Sequence, residues 1–64
     1  MKMDMNTKYF TETEVSEMIG PSLATLRRWR LENRGPKFRK FGSLVRYGNY
    51  DLAEWIKAQP FGGD

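Results

Sequence analysis

Arg27, Arg28, Arg30, Arg34, Lys37, Arg39, Lys40 and Arg46 place eight of the chain's eleven cationic side chains within positions 27–46, opposed there only by Glu32. At such density guanidinium and ammonium groups do one kind of chemistry well. They donate charge-assisted hydrogen bonds to anionic oxygens, and arginine adds a planar fork that fits a phosphate or the O6/N7 edge of guanine. The stretch carries +7 and the remainder −4, so the overall +3 conceals a strong charge dipole. A cationic face on an otherwise acidic small protein is the electrostatic footprint of a nucleic-acid binder. A merely solvated surface is the plainer alternative. The helices and strands that carry these residues argue against it.

Other chemistries find few groups. There is no cysteine and no histidine. Disulfides, thiolate metal sites, the usual zinc ligand and the usual general base are therefore excluded. Glu12, Glu14 and Glu17 crowd one short helix, and Asp51 and Glu54 sit on another. They suit helix N-terminal charge and solvated surface better than acid–base work. No enzymatic activity, catalytic residue, metal, cofactor or small-molecule ligand is expected. No apolar run spans a bilayer and no signal-peptide core is visible, so no membrane partner is expected, and the absence of cysteine suits a reducing cytoplasm, the expected location.

Sixty-four residues make one domain with a small core, helped by nine aromatic rings. Residues 1–8 lack periodicity and read as a flexible N-terminal arm. Thr11-Glu12-Thr13-Glu14 is a capping box, and Tyr9 or Phe10 before it can staple against Val15. Val15, Met18 and Ile19 form one apolar stripe on a helix over 11–19, closed by Gly20 and Pro21. Ser22 caps a second helix through about position 31. On it Leu23, Leu26 and Trp29 face the core, while Ala24, Thr25 and Arg28 face away, with Arg27 at their flank. Two short helices joined this tightly must cross steeply, as in a helix-turn-helix.

Asn33-Arg34-Gly35-Pro36 breaks the chain. Strands over 37–41 and 44–47 follow, joined by Gly42-Ser43, with Gly42 where a type II′ turn needs it. Asn49 can cap a third helix carrying Leu52, Trp55 and Ile56 on one stripe, and Pro60 stops it. The expected fold is α+β: a small winged helix-turn-helix over 9–59 in the order α-α-β-β-α, with a two-stranded wing hairpin and a tail over 60–64.

Over about 9–56, most of its length, the chain resembles the excisionase-like winged helix-turn-helix proteins of phages and mobile elements, relatives of the DNA-binding domain of MerR-type regulators. The matching residues are Tyr9-Phe10-Thr11, Glu14-Val15, Met18-Ile19-Gly20 and Ser22, then Thr25-Leu26-Arg27-Arg28-Trp29-Arg30. Gly35-Pro36, Phe38, Lys40, Gly42, Val45-Arg46-Tyr47, Asp51-Leu52 and Trp55 complete the set. The resemblance implies a second helix in the major groove and a wing on an adjacent minor groove or backbone. It implies a recombination directionality factor that bends DNA beside an integrase, or a regulator of prophage transcription. Two positions depart from the family pattern: Ser16 stands where alanine is usual, and Pro21 where a small aliphatic is usual.

The candidate contacts follow on double-stranded DNA as partner, with an integrase or further copies of the chain as additional partners. On the recognition helix they are Ser22, Ala24, Thr25, Arg27 and Arg28. Arg28 has the better angle for bases and Arg27 for phosphate. Thr25 has three uses open to it: a thymine methyl, a phosphate or its own backbone. Ser22 is first a cap, and its helix terminus also suits a phosphate. In the wing the candidates are Arg39, Lys40, Ser43 and Arg46, with Lys40 and Arg46 opposed across the hairpin so that an anion between them relieves their repulsion. Lys37 adds looser attraction. Arg30, near the core edge, can pair with a carboxylate as readily as with DNA. A basic module binding an acidic protein is the rival from another class. A single-strand or RNA binder is disfavoured because Trp29 and Trp55 lie on apolar stripes, whereas such a binder shows aromatics on a basic exposed sheet.

Overall fold

The computed structural model describes residues 6–62. Its elements run β1 (Tyr9–Phe10), α1 (Glu12–Ile19), α2 (Leu23–Leu31), β2 (Arg39–Phe41), β3 (Leu44–Gly48) and α3 (Asn49–Lys57). The result is a small α+β unit of three helices and a three-stranded antiparallel sheet in the order β1-β3-β2.

The order is thus β-α-α-β-β-α, which corrects the expected α-α-β-β-α. The two residues before the capping box pair with β3, Tyr9 opposite Gly48 and Phe10 opposite Tyr47. Two residues show no alternation to read, and their partners lie far along the chain. Pairing on both sides makes β3 the central strand, which steadies a hairpin that would be marginal alone. The first hairpin strand is also shorter than expected. It begins at Arg39, and Lys37 and Phe38 lead into it from buried Pro36.

Local signals set the helix ends. Thr11 Oγ1 accepts from Glu14 N at 3.1 Å, and Glu14 Oε1 accepts from Thr11 N at 2.8 Å. Gly20 closes α1 in the left-handed region, φ 101°, and Ser22 Oγ caps α2 by accepting from Thr25 N at 3.1 Å. The expected cap of α3 is different. Gly48 holds the N-cap position with no side-chain bond. Asn49 instead ties down the N-terminal segment: its Oδ1 accepts from Lys8 N at 3.0 Å, and its own N–H donates to Lys8 O at 2.9 Å. The expected arm is therefore anchored at its last residue. Positions 1–5 of the arm and 63–64 of the tail lie outside the described residues.

The core is Val15, Leu26, Tyr47 and Leu52, with Phe10, Ile19, Trp29 and Val45 packed around it. One buried residue from each helix meets one from the central strand. Met18 and Ile56, expected on the inner stripes, are half-exposed. A core of four residues covers a narrower arc than either stripe offers. Trp29 and Trp55 are half-buried and meet each other, ring centroids 5.5 Å apart. Among the described residues no helix is long and apolar enough to cross a membrane.

Candidate nucleic-acid interface

Leu26 is fully buried against Val15 and Tyr47, and this anchors the rotation of α2. With Leu26 inward, Ala24, Arg27 and Arg28 are exposed and Thr25 is half-buried. Thr25 Oγ1 accepts from Ser22 Oγ at 3.0 Å, which holds the Thr25 hydroxyl oxygen beside the helix start. Ser22 and Thr25 form one polar cluster at the N-terminus of α2, beside amides that favour anions.

The two leading arginines have different surroundings. Among the described residues Arg28 has no side-chain hydrogen bond, ion pair or ring contact. Its five donors are available to an external acceptor. Arg27 is held by a fork on Glu12 of α1, Nη2 to Oε2 at 2.8 Å and Nε to Oε1 at 3.3 Å. Arg30 completes the cluster, with Nη2 at 3.2 Å from Glu12 Oε1 and Nη1 donating to Tyr47 Oη at 3.0 Å. Its guanidinium carbon also lies 5.7 Å from the centroid of the Phe38 ring. The Arg27 hydrogen bond, with the charges of Arg27 and Arg30, holds the Glu12 carboxyl below its ordinary range despite the opposing effect of burial. The same hydrogen bond raises Arg27 in turn.

Sequence offers Glu12 only the role of helix N-terminal charge. Its partners lie fifteen residues and more away, and no local pattern signals that pairing. Arg30, by contrast, takes the carboxylate-paired role that was open to it.

The hairpin divides its cations between two faces. The register pairs Arg39 with Arg46, Lys40 with Val45 and Phe41 with Leu44. Side chains alternate across a strand, and directly paired residues share a face. Lys40 therefore faces the helices with Val45, while Arg39 and Arg46 share the outer face. This corrects the expected opposition of Lys40 and Arg46. The like-charged neighbours are Arg39 and Arg46. Lys40, Ser43 and Val45 join Arg27, Arg30, Leu31 and Phe38 around a groove of about 490 Å³ between the end of α2 and the hairpin. The structure thus brings Arg27, Lys40 and Ser43 to one groove and turns Arg39 and Arg46 away from it. Arg46 Nη1 donates to Val45 O at 2.7 Å. Gly42, at φ 65°, supplies the tight turn at the tip.

Among the described residues no three His, Cys, Asp or Glu side chains cluster to hold a metal ion. The chain matches no family model, no curated protein and no solved structure.

Proposed function

We propose that this chain is a sequence-specific double-stranded DNA-binding protein without enzymatic activity, a winged helix-turn-helix of the excisionase type. In this reading α2 enters the major groove, and the β2–β3 hairpin serves as a wing on the neighbouring backbone or minor groove. The observation that carries it is the exposed face of α2. Ala24 and Thr25 are small enough to admit base edges, and unengaged Arg28 stands beside them as a bidentate donor. Ser22 and the first amides of α2 take a phosphate, as do Arg27, Lys40 and Ser43 around the groove. Arg39 and Arg46 add long-range attraction from the outer face.

A single module of this size buries only about 600–1,000 Å² of protein surface on DNA. Adjacent copies or an integrase on the same DNA supply the remaining energy, and bending between them aligns recombination sites. A regulator of prophage transcription uses the same surface and differs only in what stands beside it on DNA.

The test is selection from a random duplex library, followed by footprinting on the DNA flanking the protein's own gene. Enrichment of one short motif, with a protected footprint over it, supports the reading. Recovery of no common motif, with equal affinity for every duplex, refutes it.

A further inference from the structure

The outer face of the sheet has a composition that the duplex reading uses only for the long-range charge of Arg39 and Arg46. Tyr9 on β1 and Phe41 on β2 reach toward each other from opposite sides of β3, their rings meeting edge to face with centroids 5.3 Å apart. Both remain 44% and 47% exposed, and Leu44 beside Phe41 is more than half exposed. Arg39 and Arg46 stand directly opposed on the same face. Like charges in that position destabilise a sheet unless an anion lies against them. Neither arginine has a carboxylate partner among the described residues. Beyond Arg39, Tyr9, Gly48, Tyr50 and Asp51 close a hollow of about 170 Å³, with the Tyr50 ring half-exposed. Exposed rings set among cations without carboxylate partners, Arg39 exposed and Arg46 half-buried with one N–H on Val45 O, are an arrangement that takes stacked bases and their phosphates.

We propose that this outer face is a second nucleic-acid site, taking a short single strand. Bases stack on the exposed parts of the Tyr9 and Phe41 rings, and the Arg39–Arg46 pair holds the intervening phosphates. The charge complementarity of that pair selects a polyanion, and the rings select one whose bases are unpaired. The site lies across the sheet from Lys40 and the α2 groove, and it does not depend on what α2 binds.

The experiment titrates the full chain with a fluorescent oligothymidylate of about twelve nucleotides, within the span of known single-strand site sizes. An abasic phosphate chain of equal length and an oligouridylate are titrated beside it. The oligothymidylate should bind roughly tenfold more tightly than the abasic chain, the usual worth of stacking about one base on an aromatic ring. Phe41→Ala and Phe41→Leu should each remove most of that advantage, because leucine keeps apolar bulk without a stacking face. Arg39→Gln should weaken the oligothymidylate and the abasic chain alike, and Arg28→Ala should weaken neither by a comparable factor. Comparison with oligouridylate shows whether DNA or RNA is the preferred strand. Amide shifts of the ¹⁵N-labelled wild-type protein should move along β1, β2 and β3 and not along α2, which requires no variant to fold. Equal affinity for the abasic chain overturns the proposal. So does equal loss in Arg28→Ala, or an outer face that binds no oligonucleotide and instead joins two copies of the chain in sedimentation.

Discussion

Arg27 and Glu12 bind each other through two donors, 2.8 and 3.3 Å, across the angle between α1 and α2. This ties the cationic flank of α2 to the first turn of the preceding helix. It also means that Arg27 must leave a carboxylate, or share it, before it meets a phosphate. Glu12→Gln should therefore tighten binding to every duplex by a similar factor. The gain should come with a slope of log K against log salt that is steeper by up to about 0.9, as Arg27 passes from sharing Glu12 to full neutralisation of its phosphate. A salt titration of both proteins checks it, and unchanged affinity and slope would show that Glu12 does not hold Arg27 back from a phosphate.

The same carboxyl gives a pH dependence whose sign follows from its depressed pKa. A group held below its ordinary value binds protons less readily in the folded state than in the unfolded one. Its stabilising contribution is complete above its ordinary value of 4.5. It is lost as pH falls through the lowered value. Wild type should thus lose more stability than Glu12→Gln between neutral and acidic pH, and the difference should vanish in strong acid. Thermal unfolding of both proteins across that range measures it. Parallel curves would assign the acid sensitivity to other carboxylates.

Arg28 offers the sharper test of base reading, because no side chain among the described residues competes for it. Arg28→Ala should cost about 1–3 kcal/mol of discrimination between the selected motif and random duplex, the usual worth of one bidentate base contact. Competition binding reads the difference directly. Equal weakening on both DNAs would make Arg28 a phosphate ligand.

Gly35 and Trp29 form a packing pair, although in sequence the first reads as a breaker and the second as core. A Cβ on Gly35 would lie 2.8 Å from Trp29 Cε3, at a backbone φ of 81°. Gly35→Ala should therefore destabilise the fold by more than about 1 kcal/mol, from both the steric clash and the left-handed backbone. Trp29→Ala should cost about 3 kcal/mol, at the low end for a large aromatic because the ring is only half-buried. Such a loss is comparable to the whole stability of a chain this short. Chemical denaturation of both variants tests the pair. A Trp29→Ala protein of unchanged stability that no longer binds DNA would make the ring part of the interface and not a support.

The parts legible in sequence are those written within a few residues. The Thr11 and Ser22 caps, the Gly20 stop, both helices of the α1–α2 pair and the Gly42-Ser43 turn all stand where local chemistry puts them. The parts that are not legible depend on residues brought together from a distance. β1 exists only because β3 offers it an edge. Glu12 finds Arg27 and Arg30 only once α1 crosses α2, and Asn49 gives up its capping role because Lys8 lies beside it. The split between Lys40 and Arg46 has a simpler cause. Both flank the turn, but they stand at unlike distances from it, so the pleat sends them to opposite faces.

That split gives the wing its own test. Lys40 faces the groove beside α2, and Arg46 lies on the outer face with Arg39. If the duplex lies across α2 and the wing, Lys40→Gln should weaken binding to all duplexes alike. The slope of log K against log salt should become shallower by about 0.9, as removal of a single phosphate ligand requires. Arg46→Gln should leave the duplex slope nearly unchanged, since its charge acts there only at long range and is screened beyond about 10 Å at 0.1 M salt. Helix content by circular dichroism should be the same in both variants, because neither side chain belongs to the core cluster. A full slope change in Arg46→Gln with none in Lys40→Gln would place the duplex on the other face of the hairpin and reverse the docking proposed for it.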